Sequence, residues 1–166
     1  MVLFVGRLAE DTGIRQYLSA WQSVSAEFPS YKLIICGDGV LKEWVTSFVA
    51  EHNLNVELQG FVHDVDSYLA RACVVFTSGY LGILEAFSYS NAVIALYDNP
   101  LKKDYLELMP GSEKMMWIAG DNEELQLCMR EALAGGSSKP EVGKAFADEH
   151  DWSAVKRTYY RLWAKG

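Results

Sequence analysis

The sequence of 166 residues lacks any apolar run of about 18 residues, so no segment reads as a membrane-spanning helix. Its first residues, MVLFVGR, lack a basic n-region followed by an h-region, and no signal peptide is expected. Met1 abuts the first core strand, which reads as a fragment cut from a longer protein. Positive charge is scarce: 15 Lys and Arg stand against 22 Asp and Glu, for a net charge of -7. Such a surface repels polyphosphate backbones, so no nucleic-acid partner is expected. Cysteine is scarce too. Cys36, Cys73 and Cys128 are odd in number and widely spaced, and Cys36 and Cys73 sit inside apolar runs. They read as small buried hydrophobes of a reducing, cytoplasmic compartment. No Cys/His spacing suggests zinc, and His52, His63 and His150 have no visible partners, so no metal is expected. GRLAEDTG is not a Walker loop, and no G-x-G-x-x-G opens the first helix, which disfavours P-loop NTPases and dinucleotide dehydrogenases.

What is present is a regular alternation of short apolar runs and longer helical patterns. VLFVG (2–6), KLIICG (32–37), VELQG (56–60), CVVFTS (73–78), AVIALY (92–97) and KMMWIAG (114–120) read as six strands. Between them, Ile14, Leu18, Trp21, Ser25 and Phe28 share one helical face, and Leu41, Trp44, Val45, Phe48 and Val49 share another. A short helix follows Asp64 or Asp66, whose carboxylates read as cap and first-turn residues rather than as a metal site. Another helix runs from Glu123 to Ala134. After the loose GGSSKPE (135–141) comes an amphipathic stretch with Trp152, Val155, Tyr159 and Trp163. Continuously apolar strands suit a sheet covered on both faces, and β-α alternation implies parallel strands. The expectation is an α/β, doubly wound, Rossmann-like parallel sheet in the order 3-2-1-4-5-6, with a switch point between strands 1 and 4.

Ligands bind such sheets outside the carboxyl ends at the switch point. Two loops fall there: Gly6-Arg7-Leu8 and Ser78-Gly79-Tyr80. Ser78 and Gly79 precede a helix whose free N–H groups would favour a phosphate. On that helix Leu81, Ile83, Leu84 and Phe87 share the apolar side, while Glu85 lies opposite with Gly82, either as a ligand residue above a shallow floor or as a solvated residue. Arg7 offers a guanidinium suited to diphosphates, or a surface ion pair. Lys102 and Lys103, after the fifth strand, could reach a diphosphate or sit solvated at a helix start. Gly37-Asp38-Gly39 is a turn first and a ligand loop second.

With these residues in place, the chain resembles, over nearly its whole length, the C-terminal donor-binding domain of GT-B glycosyltransferases of the family 4 or "group 1" kind. VLFVGRLAEDTG resembles the family's strand-GRL-x-x-x-K-G opening, and YKLIICGDGVLKEWV its "kLvivGdGp" strand and turn. VELQGFVHDVDSYLARACVVFTS and LGILEAFSYSNAVIA resemble its "G-f-v" to "PS" stretch and its "LEAmA-x-GkPVIa" helix. The resemblance implies two Rossmann-like domains around a cleft. Residues 1–166 would be the nucleotide-sugar-binding one, with 141–166 a C-terminal helical segment that crosses back toward an absent N-terminal acceptor domain. It further implies a UDP-, GDP- or ADP-linked sugar as substrate, no cofactor or metal, and retaining transfer to a glycan, lipid or small molecule. Membrane association, at the inner face, would come through the other half. Glu85 matches the second Glu of E-x7-E, which binds ribose. Arg7, beside Gly6, matches the diphosphate arginine, and Gly60-Phe61-Val62 the stretch near the base.

Two departures stand out. Thr12 replaces the lysine of x-K-G, and an ungapped match puts Thr77 where the first Glu of E-x7-E would stand. Aligning Thr77-Ser78 with the family's PS instead makes the loop several residues shorter, and in either alignment no carboxylate stands in for the one that holds the donor sugar. Arg15, Lys102 or Lys103 would restore the missing charge. A degenerate domain kept as a binding or scaffold module, or half of a sugar-nucleotide epimerase, are the competing readings. A receiver-type signalling domain is disfavoured because its third strand would need a terminal Asp, where this chain has Leu58-Gln59-Gly60.

Overall fold

Six short apolar runs pair into one all-parallel sheet in a computed structural model that describes residues 1–164, apart from the side chains of Trp152, Val155 and Thr158. The strands are β1 (Val2–Val5), β2 (Leu33–Cys36), β3 (Val56–Gly60), β4 (Val74–Phe76), β5 (Ala92–Leu96) and β6 (Met116–Ala119). They lie in the order β3-β2-β1-β4-β5-β6, as expected. Val2 of β1 pairs with Leu33 on one side and Val74 on the other. The order reverses between β1 and β4, so their carboxyl ends open a crevice.

Alternating strand residues feed two cores, which is why the strands read as continuously apolar. Val2, Phe4, Leu33, Ile35, Val74, Phe76 and Ile94 pack against α1 (Ile14–Val24), α2 (Lys42–Glu51) and α7 (Asn122–Ala134). Leu3, Ile34, Cys36, Val75, Val93 and Ala95 pack on the opposite face. That face is covered by α3 (Asp66–Leu69), α4 (Tyr80–Ser88), α5 (Pro100–Glu107), α6 (Ser112–Met115) and α8 (Lys139–Glu149). Helix α1 shows the amphipathic logic: Ile14, Tyr17, Leu18, Trp21 and Val24 are all buried. Asn91, buried between α4 and β5, donates to the carbonyls of Leu69 (3.1 Å) and Ala72 (2.7 Å), fixing the short α3 beneath the sheet rim.

The structure corrects several local expectations. Cys73 is exposed, not buried, because β4 begins one residue later and its thiol caps the rim by donating to the Met1 carbonyl at 3.1 Å. Lys114 and Met115 belong to α6, so the sixth strand starts at Met116. Helix α8 starts inside the supposedly loose GGSSKPE, with Pro140 in its first turn, where a missing N–H costs no hydrogen bond. Leu81, placed on the apolar side of α4, is exposed. Asp64 does act as a cap, accepting the Ser67 N–H at 3.1 Å. Of the amphipathic stretch in α9 (Trp152–Trp163), Tyr159 and Trp163 are exposed, and the side chains of Trp152 and Val155 lie outside the described residues.

Candidate functional site

The loops after β1 and β2 are fused backbone to backbone. The Gly6 and Leu8 N–H groups donate to the carbonyls of Cys36 (3.1 Å) and Asp38 (3.0 Å), and the Leu41 N–H returns to Leu8 (2.9 Å). This close approach explains Gly37 and Gly39: a Cβ would lie 1.9 Å from the Gly6 carbonyl oxygen at the first and 2.5 Å from that of Leu8 at the second. The Asp38 carboxylate accepts from Lys42 Nζ (2.8 Å) and from the Gly39 N–H (2.7 Å), which together hold its pKa below the usual carboxylate range. Gly37-Asp38-Gly39 is therefore built to support the Gly6 loop.

Two clefts flank Gly6. One, of about 360 Å³, is lined by Gly6, Asp11, Thr12, Thr77, Ser78, Gly79, Gly82 and Lys102. The other, of about 220 Å³, is lined by Gly6, Arg7, Cys36, Asp38, Phe61, Val62 and Val65. Gly79 caps α4 in extended conformation with no side-chain hydrogen bond, so the helix start offers free N–H groups toward the larger cleft. Ser78 is less available. Its Oγ accepts the Leu96 N–H (2.9 Å) and pairs with the Tyr17 hydroxyl (3.2 Å), which itself donates to the Ile94 carbonyl (3.0 Å). Tyr17 is fully buried and stacked on Phe76 at 4.9 Å; burial pushes its phenol pKa well up, so it stays a neutral pin.

The cations fall into two sets. Lys102 lines the larger cleft with its side chain only 18 % exposed; its Nζ donates to the Asp11 carbonyl at 3.1 Å and stands 3.9 Å from the Asp98 carboxylate. Arg7 lines the smaller cleft, 73 % exposed, and is paired at 2.7 Å with Asp11. Arg15 instead pairs with Glu10 at 2.9 Å and lies 4.1 Å over the Trp44 ring. Lys103 stands 3.8 Å from Glu107. Phe61 is 71 % exposed, with the His63 ring set edge-on at 5.0 Å.

The structure thus gathers Gly6, Ser78, Gly79 and Lys102 around one cleft, and Gly6, Arg7, Phe61 and Val62 around the next. Tyr80 and Glu85 line a third groove of about 700 Å³, between α4 and the C-terminal helices. Arg15, Lys103 and Gly60 line none of the three. Gly60 acts through its backbone: its φ of 69° needs glycine, and its carbonyl accepts the Gly37 N–H at 2.7 Å. The supposed floor between Gly82 and Glu85 is occupied, since Thr77 Oγ1 would meet a Cβ on Gly82 at 2.7 Å. Sequence reading gave Asp11 no place beside Arg7; their i, i+4 spacing was the available signal. Among the described residues no group of three His, Cys, Asp or Glu side chains could hold a metal ion.

Comparison with known proteins agrees with this architecture. The family described as "Glycosyl transferases group 1" matches residues 1–135. An uncharacterized glycosyltransferase of Methanocaldococcus jannaschii is 34 % identical over 98 residues, which is 55 % of this chain and 24 % of that protein. The Anabaena protein HepE, solved in complex with UDP, superposes with a TM-score of 0.79 at 17 % identity, covering 99 % of this chain and 49 % of HepE. The C-terminal domain of the group 1 family protein LpcC from Francisella tularensis gives 0.72 at 13 % identity, over 87 % of this chain and 82 % of that domain. The chain therefore spans about half or less of the longer relatives, and about four fifths of the isolated C-terminal domain. By its family match over residues 1–135, the chain belongs to the group 1 glycosyl transferases.

Proposed function

We propose that the chain is the nucleoside-diphosphate-sugar-binding domain of a retaining, metal-independent glycosyltransferase acting in the cytoplasm. It would work with an acceptor-binding domain that presents a glycan, lipid or small molecule. The observation that carries this reading is the cleft at the β1–β4 switch point, where an uncapped helix start, Gly6 and Lys102 converge beside Arg7. Cleavage of the sugar–phosphate bond builds negative charge on the departing diphosphate. Free α4 N–H groups and the Lys102 and Arg7 cations would stabilise that charge without proton transfer. Lys102 takes over from the lysine that Thr12 replaces, because its Nζ reaches the carbonyl of the residue just before Thr12.

The base would lie in the smaller cleft against Gly60, Phe61 and Val62. The family resemblance makes Glu85 the ribose ligand; it would reach the hydroxyls from the exposed side of α4, since it lines the neighbouring groove and neither of these two clefts. A thermal-shift panel of UDP, GDP, ADP and their sugars tests the reading, with UDP the first choice because HepE was solved with it. A ligand at one hundred times its Kd adds about 2.7 kcal/mol to stability, an easily read shift. Silence across the whole panel would leave a scaffold module that keeps only the fold.

A further inference from the structure

Two adjacent hydroxyls follow β4, and the structure separates their tasks. Ser78 is committed to the fold: Leu96 and Tyr17 occupy its oxygen. Thr77 differs. It is only 8 % exposed, yet it lines the larger cleft, and its hydroxyl has no hydrogen-bond partner among the described residues. Its backbone N–H donates to the Ile94 carbonyl at 3.3 Å. The rest of the residue is covered, so the free directions of this hydroxyl open into the cavity, where a ligand could meet it. Its oxygen is held over Gly82, in the first turn of α4, beside N–H groups that no side chain caps. Lys102 lines the same cavity.

We infer that the Thr77 hydroxyl is a specificity-determining ligand that donates its proton to a phosphate oxygen of the bound nucleoside diphosphate. This inference rests on the nucleotide-binding reading above and adds to it the side chain that selects for the phosphate. A carboxylate at position 77 could only accept, and would repel phosphate; a hydroxyl donates, and works with Lys102 and the helix start on one anion. Gly82 is part of the device, because any side chain there would push Thr77 out of place.

The test compares wild type, Thr77→Val, which keeps the shape and removes the hydroxyl, and Thr77→Ser, which keeps the hydroxyl. UDP, inorganic pyrophosphate and uridine are titrated calorimetrically, and the melting temperature of each variant is recorded. UDP and pyrophosphate affinity should fall about tenfold or more in Thr77→Val, as expected for a lost hydrogen bond to a charged group. Thr77→Ser should stay within about twofold of wild type, and uridine should not discriminate between Thr77→Val and wild type. Equal UDP affinity in wild type and Thr77→Val overturns this inference and leaves the nucleotide-binding reading standing. An equal loss in Thr77→Ser also overturns it, by assigning the effect to methyl packing. Failure of wild type to bind any nucleoside diphosphate removes both.

Discussion

At Lys102 a long side chain crosses from the start of α5 to the loop after β1, a separation of 91 residues in sequence, and remains mostly covered. Its amine donates to a carbonyl and, among the described residues, pairs with one carboxylate, Asp98, at the long distance of 3.9 Å, so much of its charge is left for an incoming anion. Lys102→Met should therefore weaken nucleoside diphosphate binding about tenfold, while Lys103→Ala, beside Glu107 and outside the clefts, should change it less than about twofold. Isothermal titration separates the two, and equal effects would remove Lys102 from the site. Arg7 behaves differently because Asp11 already holds it. Both partners are exposed, and such pairs contribute little, so Asp11→Asn should raise diphosphate affinity only about two- to fivefold, an advantage that fades in high salt. Glu85→Ala should weaken UDP more than pyrophosphate if its carboxylate meets the ribose; unchanged UDP affinity would return it to a solvated helix residue.

The elements were legible where period and length were unambiguous. Six short runs became six strands in the expected order, because strands buried on both faces leave a run with no polar alternation; only β3, with its Val-Glu-Leu-Gln-Gly alternation, departs from this, as an edge strand does. What escaped was set by distant contacts. Nothing near Gly143 in sequence shows that α8 runs against α4, where a Cβ on Gly143 would meet the fully buried Phe87 ring at 2.6 Å. Nor could Glu85 and Gly82 be assigned to different cavities without knowing where α8 and α9 lie. The same applies to Thr77 and Ser78, adjacent in sequence and opposite in use. Gly143→Ala tests the α4–α8 contact. Phe87 is fully buried, so the substitution must displace its ring and should cost about 1–3 kcal/mol, lowering the melting temperature by roughly 2–4 °C per kcal/mol. An unaltered melting temperature would mean that the two helices can separate without loss.

On the scale of the molecule, the clefts flanking Gly6 open at the carboxyl edge of the sheet, between the loops that follow its strands. A group 1 family fold supplies here the features expected to hold a nucleoside diphosphate: a helix start, a covered lysine, a buried threonine hydroxyl and an arginine. Among the described residues the larger cleft brings together no acid and base: Asp11 is the only carboxylate in its lining and is tied to Arg7. Stabilising a leaving group without an oriented acceptor gives binding and little turnover, since rate depends on holding both reactants in place. The chain alone should therefore show a UDP-dependent thermal shift but no measurable sugar transfer to simple acceptors, and only slow loss of sugar from the donor to water. Adding an acceptor-binding domain, joined or separate, should restore transfer while changing UDP affinity little. Robust transfer by this chain alone would show that it holds its own acceptor, and the α4–α9 groove that contains Glu85 and Tyr159 would be the first place to look.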